Sequence, residues 1–194
     1  MHSLSSDGPG VAPGPPVGAA PAGGRLVIER LPITAPDAVL LVEQVQEEYV
    51  ARYGGRDESP IDASEFEDPT GMFFVGRLDA VPVVSGAWRR RTDVLVDGTR
   101  LTAEVKRMYV APTARGLGLA RRMLAHLEVT AHAAGLEAVV LETGEKQPEA
   151  IELYSSAGYR RIAGFGYYRD SPLSRCFGKS LPAAPGLSSR HAER

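Results

Sequence analysis

Residues Arg115-Gly116-Leu117-Gly118 follow a short β-prone run, Met108 to Val110, and open a long helical stretch with Arg121 and Arg122 in its first turns. A helix N-terminus exposes N–H groups that have no internal partner, and it carries partial positive charge. Glycines at that end let an anion reach the backbone with no Cβ in the way. The chemistry open to such a stretch is the binding of a phosphate. Leu119, Met123 and Leu127 recur at helical spacing and would dock the helix on a sheet. A glycine-rich turn that merely starts a helix is the competing reading, and the loop alone leaves both standing.

The type of phosphate ligand is narrowed by what surrounds the glycines. A Walker loop requires Gly-Lys-Ser/Thr, which is absent. A dinucleotide loop requires a third glycine where Arg121 stands, although Glu142 does fall where a ribose-binding acid would lie. Other residues with chemical capacity are scattered. Glu104 sits inside an otherwise apolar strand, where a carboxylate is costly unless paired or used; pairing with Lys106 or Arg107 is the plain alternative to a role as base. Tyr154, beside Ile151 and Leu153, fits a packing position. His126 and His132 are six apart and so on different helical faces, which does not make a metal pair. The lone Cys176 reads as a small buried strand residue.

The elements that must hold these residues follow from periodicity and punctuation. Residues 25–33 read as a strand, and Pro36-Asp37 opens a helix with Ala38, Val42, Val45 and Tyr49 on one face. A short helix is expected near Asp62–Phe66. Strands follow at 72–78 and 81–92 around a turn at Asp79-Ala80, then at 101–110 after a turn at Asp97-Gly98. The helix from Gly116 ends near Gly135. Residues 138–144 form a continuous apolar strand of the kind buried on both faces. A helix over 147–157 ends at Gly158, and "YRRIAGFG" and "SRCFGKSL" read as closing strands. The early part is antiparallel, and the middle is one strand–helix–strand unit with a right-handed parallel crossover.

The 194 residues suffice for one domain with a sizeable core. A net charge of −2 does not suggest general adhesion to nucleic acid or membrane. One cysteine excludes a disulfide framework. Residues 1–24 are Gly, Pro, Ala and Ser with almost no large apolar side chain, so a disordered leader is expected there, and a flexible tail over 182–194. There is no bilayer-spanning run and no apolar signal region, so the expected location is cytoplasmic.

Arg115, Gly118 and Ala120 match the phosphate motif [QR]-x-x-G-x-[GA]. With "AEVKRMYVAP" before it and "QPEAIELYSSAGYRRI" after it, the sequence resembles the GNAT superfamily of acyl-CoA-dependent N-acetyltransferases over residues 25–181. The resemblance implies an α/β (α+β) fold. Its sheet is mixed and mostly antiparallel, with a central parallel strand pair splayed at a bulge and helices on both faces. It implies acetyl-CoA as cosubstrate and no metal. Pantetheine would lie against Met108 and Val110, and the diphosphate on the amides of Arg115, Gly116, Leu117, Gly118, Leu119 and Ala120. Tyr154 would be the general acid for the departing thiolate, and Glu104 the general base, with Glu142 a second candidate.

The implied reaction is direct attack of an amine on the thioester, so Cys176 is not needed as nucleophile. A lysine-like amine of pKa about 10.4 costs roughly 4–5 kcal/mol to deprotonate at pH 7, so a base matters. The partner is a small-molecule or peptide amine, with a homodimer left open. A non-catalytic acyl-CoA-binding module and a Rossmann-like redox protein are the other classes. Charge placement suggests a cationic acceptor: Asp57, Glu58, Asp62, Glu65, Glu67 and Asp68 form an acidic stretch, whereas 100–122 is basic.

Overall fold

The computed structural model describes residues 24–182. The expected leader, apart from Gly24, and the expected tail after Pro182 lie outside the described residues.

Seven strands form one sheet in the order β1-β2-β3-β4-β5-β7-β6. The strands are β1 (Leu26–Arg30), β2 (Gly71–Leu78), β3 (Val81–Arg91), β4 (Thr102–Val110), β5 (Ala138–Gly144), β6 (Arg160–Arg161) and β7 (Ser174–Ser180). The helices are α1 (Pro36–Tyr53), α2 (Leu119–Ala133) and α3 (Pro148–Ser156), with 3₁₀ turns at Ala63–Phe66 and Pro112–Ala114. All pairings are antiparallel except β4 with β5. A nucleotide-binding sheet built from repeated parallel crossovers is therefore excluded, and with it the Rossmann alternative.

Turn chemistry explains the meander. Asp79 and Ala80 both take positive φ, 48° and 70°, in the two-residue link between β2 and β3. Asp97 and Gly98 do the same, at 48° and 89°. Gly54 closes α1 in the left-handed region, its N–H on the Val50 carbonyl at 2.8 Å.

Helices cover both faces. Ala38, Leu41 and Val45 of α1 pack with Phe73 and Val75 of the sheet in the main core. On the opposite face, α2 sets His126 edge-on to Phe74 and accepts the Trp88 indole N–H on Thr130 Oγ1 at 3.0 Å. α3 joins α2 there, with Tyr154 near Phe177 and Arg121 donating to the Ser156 hydroxyl at 2.7 Å. Gly86 permits this close docking. A Cβ at that position would stand 2.9 Å from Met123 Cγ and 3.0 Å from both Leu127 Cδ1 and Met108 Sδ.

Two relationships open the sheet at its centre. Parallel pairing of β4 with β5 runs from Thr102↔Ala138 to Val105↔Leu141 and stops. Beyond it, β5 continues against β7 alone, from Glu142↔Cys176 to Gly144↔Ser174. The β3–β4 register also slips: Ser85 faces Tyr109, but Ala87 faces Lys106, so Gly86 is opposed by both Arg107 and Met108. Arg107 absorbs the extra residue at φ 55°, and its carbonyl accepts the Ser85 hydroxyl at 2.9 Å.

One closing strand is much shorter than expected. Of "YRRIAGFG", only Arg160–Arg161 pairs, on the edge next to β7. The rest covers a small second cluster, where Phe165 and Ile162 pack on Val140 and Cys176.

Candidate active site

The splay between β4 and β5 leaves two cavities. The first, about 430 Å³, is lined by Met108 to Val110, the 114–121 turn and the N-terminal half of α3. The second, about 400 Å³, lies between the end of α1, Asp57-Glu58, the Val105–Met108 bulge, Glu142 to Gly144 and the 168–174 segment. Met108, Gln147, Ala150 and Tyr154 line both.

The first cavity is floored by unused backbone donors. Arg122 N–H to the Gly118 carbonyl, 3.2 Å, is the first helical bond of α2. The amides of Gly116 to Arg121 have no backbone or side-chain acceptor among the described residues. Gly116 and Gly118 take φ 79° and 71°, and a Cβ on either would meet nothing within 4 Å. Open space above free N–H groups at a helix N-terminus is what a diphosphate requires. Arg115 donates from Nε to the Val110 carbonyl at 3.1 Å and is also paired with Glu48. Met108, Val110, Arg115, Gly116, Gly118, Leu119 and Ala120 all line this cavity, whereas Leu117 is exposed and does not.

Tyr154 stands where the cavities meet. It is 5% exposed, and its ring lies 5.8 Å from that of Tyr159 at 63°. Burial pushes the phenol well above its ordinary range, so the hydroxyl stays protonated at any working pH. Gln147, at the start of α3, accepts from the Thr143 hydroxyl at 3.0 Å and from the Gly144 N–H at 3.2 Å. It thereby ties the helix that carries Tyr154 to the end of β5.

Glu104 lies elsewhere. It is 1% exposed and lines neither cavity. Its Oε2 accepts from Arg89 Nε and from an Arg91 Nη, each at 2.8 Å, and Lys106 Nζ is 3.9 Å from Oε1. Burial alone would raise its pKa, but Lys106, Arg89 and Arg91 outweigh burial and hold it below the usual carboxylate range. The main partners therefore come from the neighbouring strand β3, and Arg107 is not among them.

Glu142 is the carboxylate that lines the second cavity from β5. Burial raises its pKa; the Ser174 hydroxyl and Lys106 only partly oppose that. Asp57 is opposite in character. Burial would raise it, but Arg107, Ser59 and Lys106 hold it at about 2.

The acidic stretch does not wall the second cavity as a unit. Glu65 is bound to Arg89, Asp68 to Arg30, and Asp62 caps the 3₁₀ turn through the Ser64 N–H. Only Asp57 and Glu58 of the six line the cavity. Sequence reasoning missed Gln147, Lys106 and Arg107 as cavity residues. The bulge that brings Lys106 and Arg107 there leaves no mark in composition or spacing.

A mostly antiparallel sheet, splayed at one parallel pair beside a glycine-rich helix start, defines a class: the chain belongs to the acetyltransferase (GNAT) family, whose model matches residues 41–159. It is an acetyltransferase of that family. An IAA acetyltransferase from Azospirillum brasilense is 36% identical over 146 residues, covering 75% of this chain and 92% of that protein. Among solved structures, a Klebsiella pneumoniae protein assigned to the acyl-CoA N-acyltransferases is 27% identical with a TM-score of 0.64, covering 80% of this chain and 97% of that one. A GNAT-family acetyltransferase from Staphylococcus aureus shares the fold at 18% identity, with a TM-score of 0.62 over 81% of this chain and all of the other. Among the described residues no helix is long and apolar enough to cross a membrane, and no cluster of His, Cys, Asp and Glu forms a metal site.

Proposed function

We propose that this chain transfers the acetyl group of acetyl-CoA to a primary amine by direct attack. The observation that carries the reading is the shared wall: a cavity floored by free helix-end amides and a cavity lined by Glu142 meet at Met108, Gln147, Ala150 and Tyr154. A donor with an anionic tail and a reactive end fits the first cavity, and the second gives an acceptor a way to that end. The diphosphate sits on the free amides of Gly116 to Arg121; the expected Arg115 amide contact is dropped, because that N–H points to the Pro112 carbonyl at 3.4 Å. Pantetheine runs along the edge of β4 that β5 has left, at Met108 and Val110.

In this reading Glu142, directly or through one water, takes the proton of the attacking amine. The new N–C bond forms as the C–S bond breaks, and the Tyr154 hydroxyl gives its proton to the departing sulfur. Glu142 is preferred to Glu104 as base because it lines the acceptor cavity and has no ion-pair partner among the described residues, whereas Arg89 and Arg91 bind Glu104. A raised carboxylate pKa suits the role, since it narrows the gap to the amine.

The test is thiol release from acetyl-CoA in the presence of an amine panel, with acetyl-CoA binding measured separately by calorimetry. Amine-dependent thiol release is the expected result. Tight acetyl-CoA binding with no turnover of any amine would replace this reading with a non-catalytic acyl-CoA-binding module.

A further inference from the structure

The acceptor cavity is lined by two cations that the described residues satisfy only in part. In a regular strand consecutive side chains point to opposite faces. The bulge, with Arg107 at φ 55°, lets Lys106 and Arg107 line the same cavity. The Arg107 side chain is 5% exposed, and its guanidinium has one acceptor among the described residues, Asp57 on Nη1. Its Nε is buried with no acceptor among the described residues. Lys106 Nζ is held loosely, 3.4 Å from Ser59 Oγ and 3.9 Å from Glu104 Oε1.

Resting on the acetyltransferase reading above, we propose that Lys106 and Arg107 form a carboxylate subsite, and that the amine acetylated here carries a carboxylate, as a free amino acid does. Buried donors left unfilled are costly, and a carboxylate fills them with charge-assisted bonds. The acids nearby do not compete for the role. Glu104 is bound by Arg89 and Arg91, and Asp57 uses only one guanidinium nitrogen. Arg56 at the rim is paired with Glu43. Glu142, held by Ser174 and not by a cation, is left to receive the ammonium end. The ligand therefore meets positive charge at one end and a carboxylate at the other, and a polyamine would have to lie against two cations. The remaining wall includes Tyr49, Tyr53, Tyr168 and Leu173, which suits an apolar side chain on the carbon that bears both charges.

The experiment measures acetyl transfer to, and calorimetric binding of, each standard amino acid, its amide and its decarboxylated amine, using the full chain saturated with acetyl-CoA or CoA. The best free amino acid is expected to exceed its amide and its decarboxylated amine at least ten-fold in kcat/KM. Lys106→Gln should erase most of that ratio by raising KM for the amino acid, with acetyl-CoA affinity within two-fold of wild type. Arg107→Gln should do the same if it folds; Lys106→Gln, which leaves the Asp57 ion pair intact, decides the matter if it does not. An amide or carboxylate-free amine that binds and reacts as well as its amino acid overturns the subsite while acetyl transfer stands, and so does a panel in which no amino acid binds. Failure to bind acetyl-CoA itself counts against the acetyltransferase reading instead.

Discussion

The Ser174 hydroxyl donates to Glu142 Oε1 at 2.6 Å, across the β5–β7 pair and at the edge of the second cavity. This bond lowers the Glu142 pKa, but burial raises it by more. In the proposed reaction Glu142 works as base only when ionised. The acid limb of kcat/KM should therefore lie above the ordinary glutamate value of about 4.3, activity falling as pH drops through the raised pKa. Ser174→Ala should move that limb to still higher pH. Glu142→Gln should remove it and lower kcat for a lysine-like amine by about 10²–10⁴. A pH–rate profile for the three proteins checks this; an acid limb that survives in Glu142→Gln assigns the base elsewhere.

Tyr154→Phe keeps the ring against Tyr159 and Phe177 and deletes only the hydroxyl. Turnover should fall by about 10²–10⁴, the usual size of a general-acid effect. Acetyl-CoA affinity should change little. Steady-state kinetics and calorimetry separate the two, and wild-type turnover would return Tyr154 to a packing role.

Gly118 occupies the left-handed region at φ 71°, beside amides with no acceptor among the described residues. Gly118→Glu adds a side chain and a negative charge where the diphosphate would sit. Acetyl-CoA binding should be lost, whereas Gly118→Ala, which adds only backbone strain of about 1–2 kcal/mol, should weaken it less. Calorimetry on folded variants reads the difference, and equal effects of the two substitutions would argue against an anion at this position.

Glu104 is a buried carboxylate facing three cations; its loss removes a shared partner, although Arg89 keeps Glu65 and Arg91 keeps Asp93. Glu104→Gln should cost about 1–3 kcal/mol, a fall in Tm on the order of 5 °C for a domain of this size. Its folded pKa lies below the unfolded value, so its stabilisation is present above the unfolded pKa and lost as pH falls through the folded one. The variant's Tm should therefore converge on wild type at acid pH. The pH profile of activity per folded molecule should keep its acid limb; loss of that limb would make Glu104 the base after all.

Much of the frame was legible because its causes are local. Pro36, Gly54, the Asp79-Ala80 and Asp97-Gly98 links and the glycines at 116 and 118 set chain direction through φ alone, and the elements they bound fall within a few residues of expectation. The run of free amides belongs to the same kind of feature, because it follows from a helix beginning at Leu119. "YRRIAGFG" misled because its apolar residues serve a loop-covered cluster, and a run of β-prone residues does not reveal whether a partner edge is free.

The sequence by itself determined which residues begin and end the elements, the single parallel crossover and the place of the glycine loop, since turn chemistry and periodicity act within a few residues. Only the tertiary structure decided the neighbours of each charge. Glu104 meets Arg89 and Arg91 because register pairs β4 with β3, and Asp57 meets Arg107 across 50 positions because α1 ends above the bulge. Electrostatic energy depends on distance and burial, and neither follows from position along the chain. A one-residue slip in register thus turned two adjacent cations of β4 into one wall of the second cavity.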